Sequence, residues 1–230
     1  MTKRFGALAV LVLALAAAAP AVAKPIAVNV RVEGRHKTIF EGTVKTTIHP
    51  VDGGDGTGAH KCDGTNNGAS STPGPTVTGA FDDGATLNHV SWHGTWFPSF
   101  EDFLIDRVGP DSATSSKFWE LDLNYKSLNV GGCQQKVSPH DRVIVAFDGF
   151  GRPLLKLKGP KEATAGKSFR VRVVNGRNGH PVQGATVRGE KTDKHGRVRI
   201  TVKHTGLVRL KARKHGTIRS NEWDVAVHSG

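Results

Sequence analysis

The chain has 230 residues, 37% of them hydrophobic and 23% charged, with a formal net charge of +12 from 32 Lys and Arg against 20 Asp and Glu. That balance excludes a disordered tail or a collagen, and only two Cys exclude a disulfide-dense mini-protein. The length suits one large domain or two small ones.

The chain opens with a short basic stretch containing Lys3 and Arg4, followed by an apolar run over 5–19, then Pro20 and the small residues of Ala21-Val22-Ala23. This is the tripartite pattern of a secretory signal. The competing reading is an uncleaved membrane anchor, but the run falls short of the roughly 20 residues a comfortable span requires. Cleavage after Ala23 would leave 207 residues beginning at Lys24, with no Cys at the cut for lipid attachment and no second run of spanning length. The expectation is a secreted or extracellular protein with no membrane span. An oxidising compartment favours a bond between Cys62 and Cys133, the only two cysteines. Closing a loop of this size stabilises a fold by roughly 4 kcal/mol on chain-entropy arithmetic.

Charge divides the remainder. Residues 24–153 hold 12 basic and 15 acidic side chains, whereas 154–230 hold 18 basic and 5 acidic. The change falls at Gly149-Phe150-Gly151-Arg152-Pro153, which reads as a linker between two domains, 24–153 and 154–230.

In the first domain, Ile26 to Val32 alternates with apolar even-numbered positions, the period of a strand, and 37–44 reads as a second strand after Gly34. Residues 52–79, with eight Gly plus Pro73 and Pro75, read as a long irregular loop pinned through Cys62. Thr76 to Asn88 is expected to be a short helix with Thr78 as N-cap, and strands are expected near 102–108, 118–125 and 142–148, the last the most apolar and central. Several short motifs resemble the transcobalamin-like C-terminal domain family of exported modules: Val-Arg-Val-Glu-Gly at 30–34, Phe118-Trp119-Glu120-Leu121 running to Asn124, Gly131-Gly132-Cys133, Asp141-Arg142-Val143, and Phe147-Asp148. The resemblance implies an α+β, β-grasp-like fold with one helix against a small sheet. In transcobalamins such a domain helps to enclose a corrinoid together with a helical-repeat domain, and this chain has no helical-repeat partner, so no cofactor is expected.

Residues 154–230 place short alternating segments at roughly ten-residue spacing, the mark of a β-sandwich. The expected inward sets are Leu155 and Leu157; Phe169, Val171 and Val173; Val198, Ile200 and Val202; and Val208, Leu210 and Ala212. The text from Gly179 to Val187 and from Thr192 to Arg197 resembles bacterial Ig-like and carboxypeptidase-regulatory-like domains, which implies an all-β Ig-like sandwich and leaves function open. The whole chain is thus expected to be mainly β.

The outward positions of this domain are cationic. Lys156 and Lys158, Arg170 and Arg172, and Arg197, Arg199 and Lys203 would share one face if their segments are neighbouring strands. Such a face suits an anionic cell-wall polymer or another surface polyanion; a solvated surface that only keeps the protein soluble is the plainer reading. Specific nucleic-acid recognition is not expected, because Phe169 and Trp223 are the domain's only aromatics and Phe169 belongs to the core, leaving no stacking platform.

Little points to catalysis. There is no Gly-x-Ser-x-Gly elbow, and Glu101 and Asp102 would point to opposite faces of a strand, so no catalytic residue is assigned. His89 and His93 lie four apart in strand-like text, which does not make a helical metal pair. Asp52, Asp55, Asp63 and Asn66 offer oxygens without an EF-hand spacing, and turn-forming roles explain them equally well. No metal site is assigned. The aromatic text is richer: Ser91 to Pro98 reads as a loop presenting Trp92, His93, Trp96 and Phe97 to a small ligand or sugar ring, unless these rings simply fill a small core. The expectation is a secreted, non-catalytic envelope-binding or adhesion protein, with small-ligand binding through the aromatic loop as the alternative.

Overall fold

The computed structural model describes residues 24–230; the signal-like segment 1–23 lies outside the described residues. The protein is mainly β, with one α-helix and six small sheets among the described residues. In the N-terminal half, chain order runs β1 (Ile26–Glu33), β2 (Thr38–Thr46), β3 (Val51–Asp52), β4 (Ala59–His60), α1 (Val77–Leu87), β5 (Trp92–Phe97), β6 (Asp102–Val108), β7 (Asp111–Ser112), β8 (Trp119–Leu123), β9 (Lys126–Ser127) and β10 (Arg142–Phe147). The main sheet has the order β2-β1-β10-β8-β9, with β1 and β10 parallel and the other pairs antiparallel. The apolar 142–147 strand is therefore central, as its composition requires.

Period-two alternation decides what each sheet face meets. Val28, Val30 and Val32 of β1, with Val143, Val145 and Phe147 of β10, pack beneath α1, whose Val77, Ala80, Phe81 and Ala85 complete the core. Each such side chain fully withdrawn from water contributes roughly 1.5–3 kcal/mol. Gly84 lets the helix settle on β2, because a Cβ there would stand 2.9 Å from the Phe40 ring. The N-cap is Thr76, not Thr78: Thr76 is extended, and its hydroxyl accepts from Gly79 N at 3.1 Å. Thr78 lies inside the first turn, and its N–H donates to Gly132 O at 3.2 Å.

The Gly-rich stretch expected to be irregular over 52–79 is shorter and more ordered than its composition suggests. β3 and β4 form a hairpin, Asn66–Gly68 makes a 3-10 turn, and the rest is stapled to 131–136. Cys62 and Cys133 form the disulfide, closing a separation of 71 residues. Lys136 Nζ donates to Ser70 Oγ at 2.8 Å and Thr72 O at 3.1 Å.

The C-terminal half contains β11 (Leu155–Lys158), β12 (Glu162–Thr164), β13 (Ser168–Asn175), β14 (Thr186–Val187), β15 (Glu190–Lys191), β16 (Arg197–Thr201), β17 (Gly206–Leu210), β18 (Ala212–Arg213) and β19 (Trp223–His228). They form three three-stranded sheets, β11-β13-β16, β12-β19-β17 and β15-β14-β18. The inward sets enclose one core, with Phe169 and Val208 half-buried at its margin.

The two cores are joined by a third. The face of the main sheet turned away from α1 carries Arg31, Glu33, Glu120 and Asp122, all buried, around Ile144 and Ala146. The C-terminal half covers this face. Tyr125, Ile144 and Ala146 pack with Leu154 and Ile218, and Gly176 sits so close that a Cβ would overlap the Tyr125 ring. Around this apolar plug lie the ion pairs. Arg219 Nε is 2.7 Å from Glu33, and Lys211 Nζ is 2.9 Å from Glu33 and 2.7 Å from Glu41. Arg177 reaches Glu120 at 2.7 Å and Asp122 at 2.8 Å. Burial, reinforced by the nearby Glu120 charge, pushes the Asp122 carboxyl up to about 7 despite Arg177 and Arg31. Part of the charge asymmetry between the halves is thus complementarity across their own seam.

Candidate functional site: a basic sheet face and an aromatic cleft

The register of β11, β13 and β16 sets the cations in rows. Lys158 lies opposite Arg172, which lies opposite Arg197; one step along, Arg170 lies opposite Arg199. Partners in an antiparallel register stand on the same face, and like charges directly opposite are destabilising. Lys158, Arg170, Arg172, Arg197 and Arg199 lie on that outward face, and Lys203 follows just beyond the end of β16. None of the six has a carboxylate within ion-pair distance among the described residues; Arg199 alone has a side-chain contact, 3.4 Å to Ser168 Oγ. Glu190 and Asp193 share a shallow depression with Arg170, Arg197 and Arg199. The backbone N–H of Arg197, with that of His195 adding to it, lowers the pKa of the Asp193 carboxylate. Lys156, expected on this face, turns instead under the N-terminal half, with Nζ 4.9 Å from the Tyr125 ring centre, and burial lowers its pKa. Phe169 packs against the core and Trp223 donates from Nε1 to Pro160 O at 2.9 Å, so the face carries no exposed ring.

The aromatic text is a strand, not a loop: Trp92–Phe97 forms β5, paired with β6 through a register shift at His93/Gly94. Gly94 sits at the register shift, and Pro98 falls just outside the strand, in the turn to β6. Pairing gives the four residues different tasks. Trp92 donates from Nε1 to Asp82 at 2.8 Å and packs edge-on against Phe81 and Phe103. His93 Nδ1 lies 2.8 Å from Asp106. Trp96 stacks on His60 with ring centres 4.1 Å apart and planes 2° from parallel. Only Phe97 of the four opens onto a cleft.

That cleft, about 720 Å³, is lined by Phe97, Phe100, Phe103, Leu104 and Val130, with Asp102 and Gln134 as polar neighbours. Phe97 is 40% exposed, Phe100 60%, Leu104 46% and Val130 40%. Asp102 is buried at its base, accepting from Phe103 N at 2.8 Å and Cys133 N at 3.0 Å, so the carboxylate ties β6 to the disulfide loop. Burial nevertheless raises its pKa to about 6. Phe100 and Phe103 belong to the aromatic stretch visible in the sequence; Leu104 and Val130 carry no sequence signal, because the cleft exists only where β6 meets the 128–134 segment.

The carboxylates of the Gly-rich stretch build turns. Asp52 accepts from Gly54 N, Asp55 from Thr57 and Trp96 N, and Asp63 from Thr65. The Asn66 side chain donates to Lys61 O and Glu101 O. Among the described residues no three His, Cys, Asp or Glu side chains come together as a metal-binding group. No described helix is long and apolar enough to cross a membrane. The chain matches no family model, and no curated protein is significantly similar to it.

Proposed function

We propose that this is a secreted, non-catalytic binding protein that docks on an anionic cell-envelope polymer through the β11-β13-β16 face. The observation that carries the reading is the two cross-strand rows of unpaired cations, Lys158–Arg172–Arg197 and Arg170–Arg199. A fold that sets like charges opposite one another loses stability that a polyanion restores, and an extended charged face steers such a polymer before contact. The absence of stacking rings on the face favours charge recognition over base recognition. The signal-like segment and the disulfide support export. Two domains divided near residue 153, β-grasp-like then Ig-like, are supported by the helix-on-sheet core of the first half and the all-β core of the second.

The test is co-sedimentation of residues 24–230 with isolated bacterial cell walls across a salt series, beside the variant Arg170→Gln/Arg172→Gln/Arg199→Gln. Binding should weaken steeply as salt shortens the screening length from about 10 Å at 0.1 M to about 3 Å at 1 M, and the variant should bind far less at every salt. Equal binding by variant and parent would end this reading.

A second reading, binding of a small flat ligand or a sugar ring, rests on the exposed Phe97 and Phe100 rings in a cleft of ligand size. Tryptophan fluorescence reports it, since Trp96 packs against Phe103 of the cleft wall with ring centres 4.8 Å apart. A saturable change abolished by Phe100→Ser supports it, and a ligand screen without one removes it.

A further inference from the structure

A second basic site lies where the two halves meet and shares no lining residue with the β11-β13-β16 face. It is a cleft of about 600 Å³ between the β1–β2 turn, the connecting segment at Arg152 and the loop that follows β18. Arg35 and His36 approach from the first half; Arg213, Lys214 and His215 approach from the second. No Asp or Glu lines it.

The cations of this cleft divide by what already holds them. Arg219 is committed to Glu33, and to the carbonyls of Gly34 and Lys37, and Arg152 is committed to Asp148 at 2.5 Å. These two fix the walls. Arg35 lies over the Phe147 ring at 5.0 Å; its guanidinium is 4.0 Å from Asp111, and its backbone N–H donates to the same carboxylate at 2.8 Å. Arg213, His36 and His215 have no ion-pair partner among the described residues, and Lys214 Nζ donates only to Gln183 O at 2.7 Å. A concave site lined by Arg and Lys donors, with its carboxylates behind the walls and not in the lining, is complementary to a compact, multiply charged anion. Its two sides come from different halves of the chain, and the seam ion pairs hold them at a set distance.

We infer that this junction cleft binds a phosphate group carried on a small organic molecule or on the end of a larger one, with Arg35 and His36 on one side and Arg213, Lys214 and His215 on the other. The volume exceeds that of a lone phosphate and falls in the range of small-molecule sites. The inference does not rest on the envelope-binding face, which uses other residues.

The experiment is isothermal titration of residues 24–230 with pyrophosphate and with glycerol 3-phosphate at low salt, alongside flotation with vesicles of phosphatidylglycerol or phosphatidylcholine. One-to-one saturable binding of either soluble probe is expected. Arg213→Gln/Lys214→Gln should weaken it by about tenfold or more, the size of one charge-assisted hydrogen bond. Arg35→Gln should weaken it as well, because the site spans both halves. The variant Arg170→Gln/Arg172→Gln/Arg199→Gln should bind the probe as the parent does, and Arg213→Gln/Lys214→Gln should still sediment with cell walls. Vesicle flotation that is lost on Arg213→Gln/Lys214→Gln assigns the phosphate to a lipid headgroup; soluble-probe binding without flotation assigns it to a free ligand. Absence of saturable binding to both probes and vesicles overturns the inference. So does binding that is indifferent to Arg213→Gln/Lys214→Gln or lowered equally by the face variant.

Discussion

Replacing Arg177 by Ala removes the guanidinium that lies 2.7 Å from Glu120 and 2.8 Å from Asp122, two carboxylates exposed by 1% and 0%. It also removes a 2.7 Å hydrogen bond to Ser127 Oγ. Neither carboxylate can reach water without parting the seam, so the substitution strands buried negative charge rather than merely deleting a contact. Breaking a buried pair in this way costs about 3–5 kcal/mol. For a chain of this size each kcal/mol moves Tm by roughly 2–4 °C, so Tm should fall by about 6–20 °C. The exposed pair of Arg209 with Glu222, 67% and 41% exposed, supplies the control; Arg209→Ala should cost at most about 1 kcal/mol. The loss at Arg177 should also depend on pH. Asp122 takes up its proton near 7 in the parent, and losing Arg177 raises that further, so mild acid neutralises the stranded carboxylate. Denaturant unfolding at pH 5 and pH 8 should therefore show a larger loss at pH 8, and Arg177→Ala/Glu120→Gln/Asp122→Asn should recover much of it. A loss below about 1 kcal/mol, equal at both pH values, would refute the claim that these charges are desolvated by the seam.

The parent should itself be most stable in mild acid. Asp102 and Asp122 have folded pKa values of about 6 and 7, above the ordinary carboxylate value, so between about pH 4 and 7 the native state holds protons the unfolded chain has released, and their contribution declines as pH rises. The Asp82 carboxylate, 3.5 Å from His49 Nε2, raises that imidazole to about 9 against the opposing effect of burial. Its contribution is complete below about pH 6.5 and lost as pH rises through 9. Tm should fall from pH 5 to pH 9, and a rise across that range would contradict both assignments. Gly176→Ala should lower Tm through a forced shift of the Tyr125 ring, costing about 1–3 kcal/mol, whereas Gly166→Ala, with open space at its Cβ but a φ of +77°, should cost only backbone strain. Reduction of the Cys62–Cys133 bond should destabilise the protein by roughly 4 kcal/mol, read as a lower urea midpoint in dithiothreitol.

Local pattern alone determined much of the architecture. The alternation of Ile26–Val32 and the apolar run 142–147 carry their own strand period, because neighbouring side chains of a strand must meet different environments. The same rule set Lys158, Arg170, Arg172, Arg197 and Arg199 on the outward sides of their strands; that these strands are neighbours came only from the pairing, and Lys156, expected beside them, turns under the N-terminal half. Pairing of the only two cysteines required no geometry. What escaped the sequence depends on which surface covers which. Arg31, Glu33, Glu120 and Asp122 look like the wet side of a half-buried sheet, and only docking of the C-terminal half turns them into buried charges that need Arg177, Lys211 and Arg219. Gly149 to Pro153 has linker composition, yet Leu154 directly after it is fully buried between the halves. Trp92 to Phe97 lacks clean alternation; pairing with β6 across the short 98–101 turn, not its own pattern, holds it extended. The junction cleft has no sequence signature at all. Its donors lie near residues 35 and 213, and only the tertiary fold brings charges so far apart in the chain around one cavity.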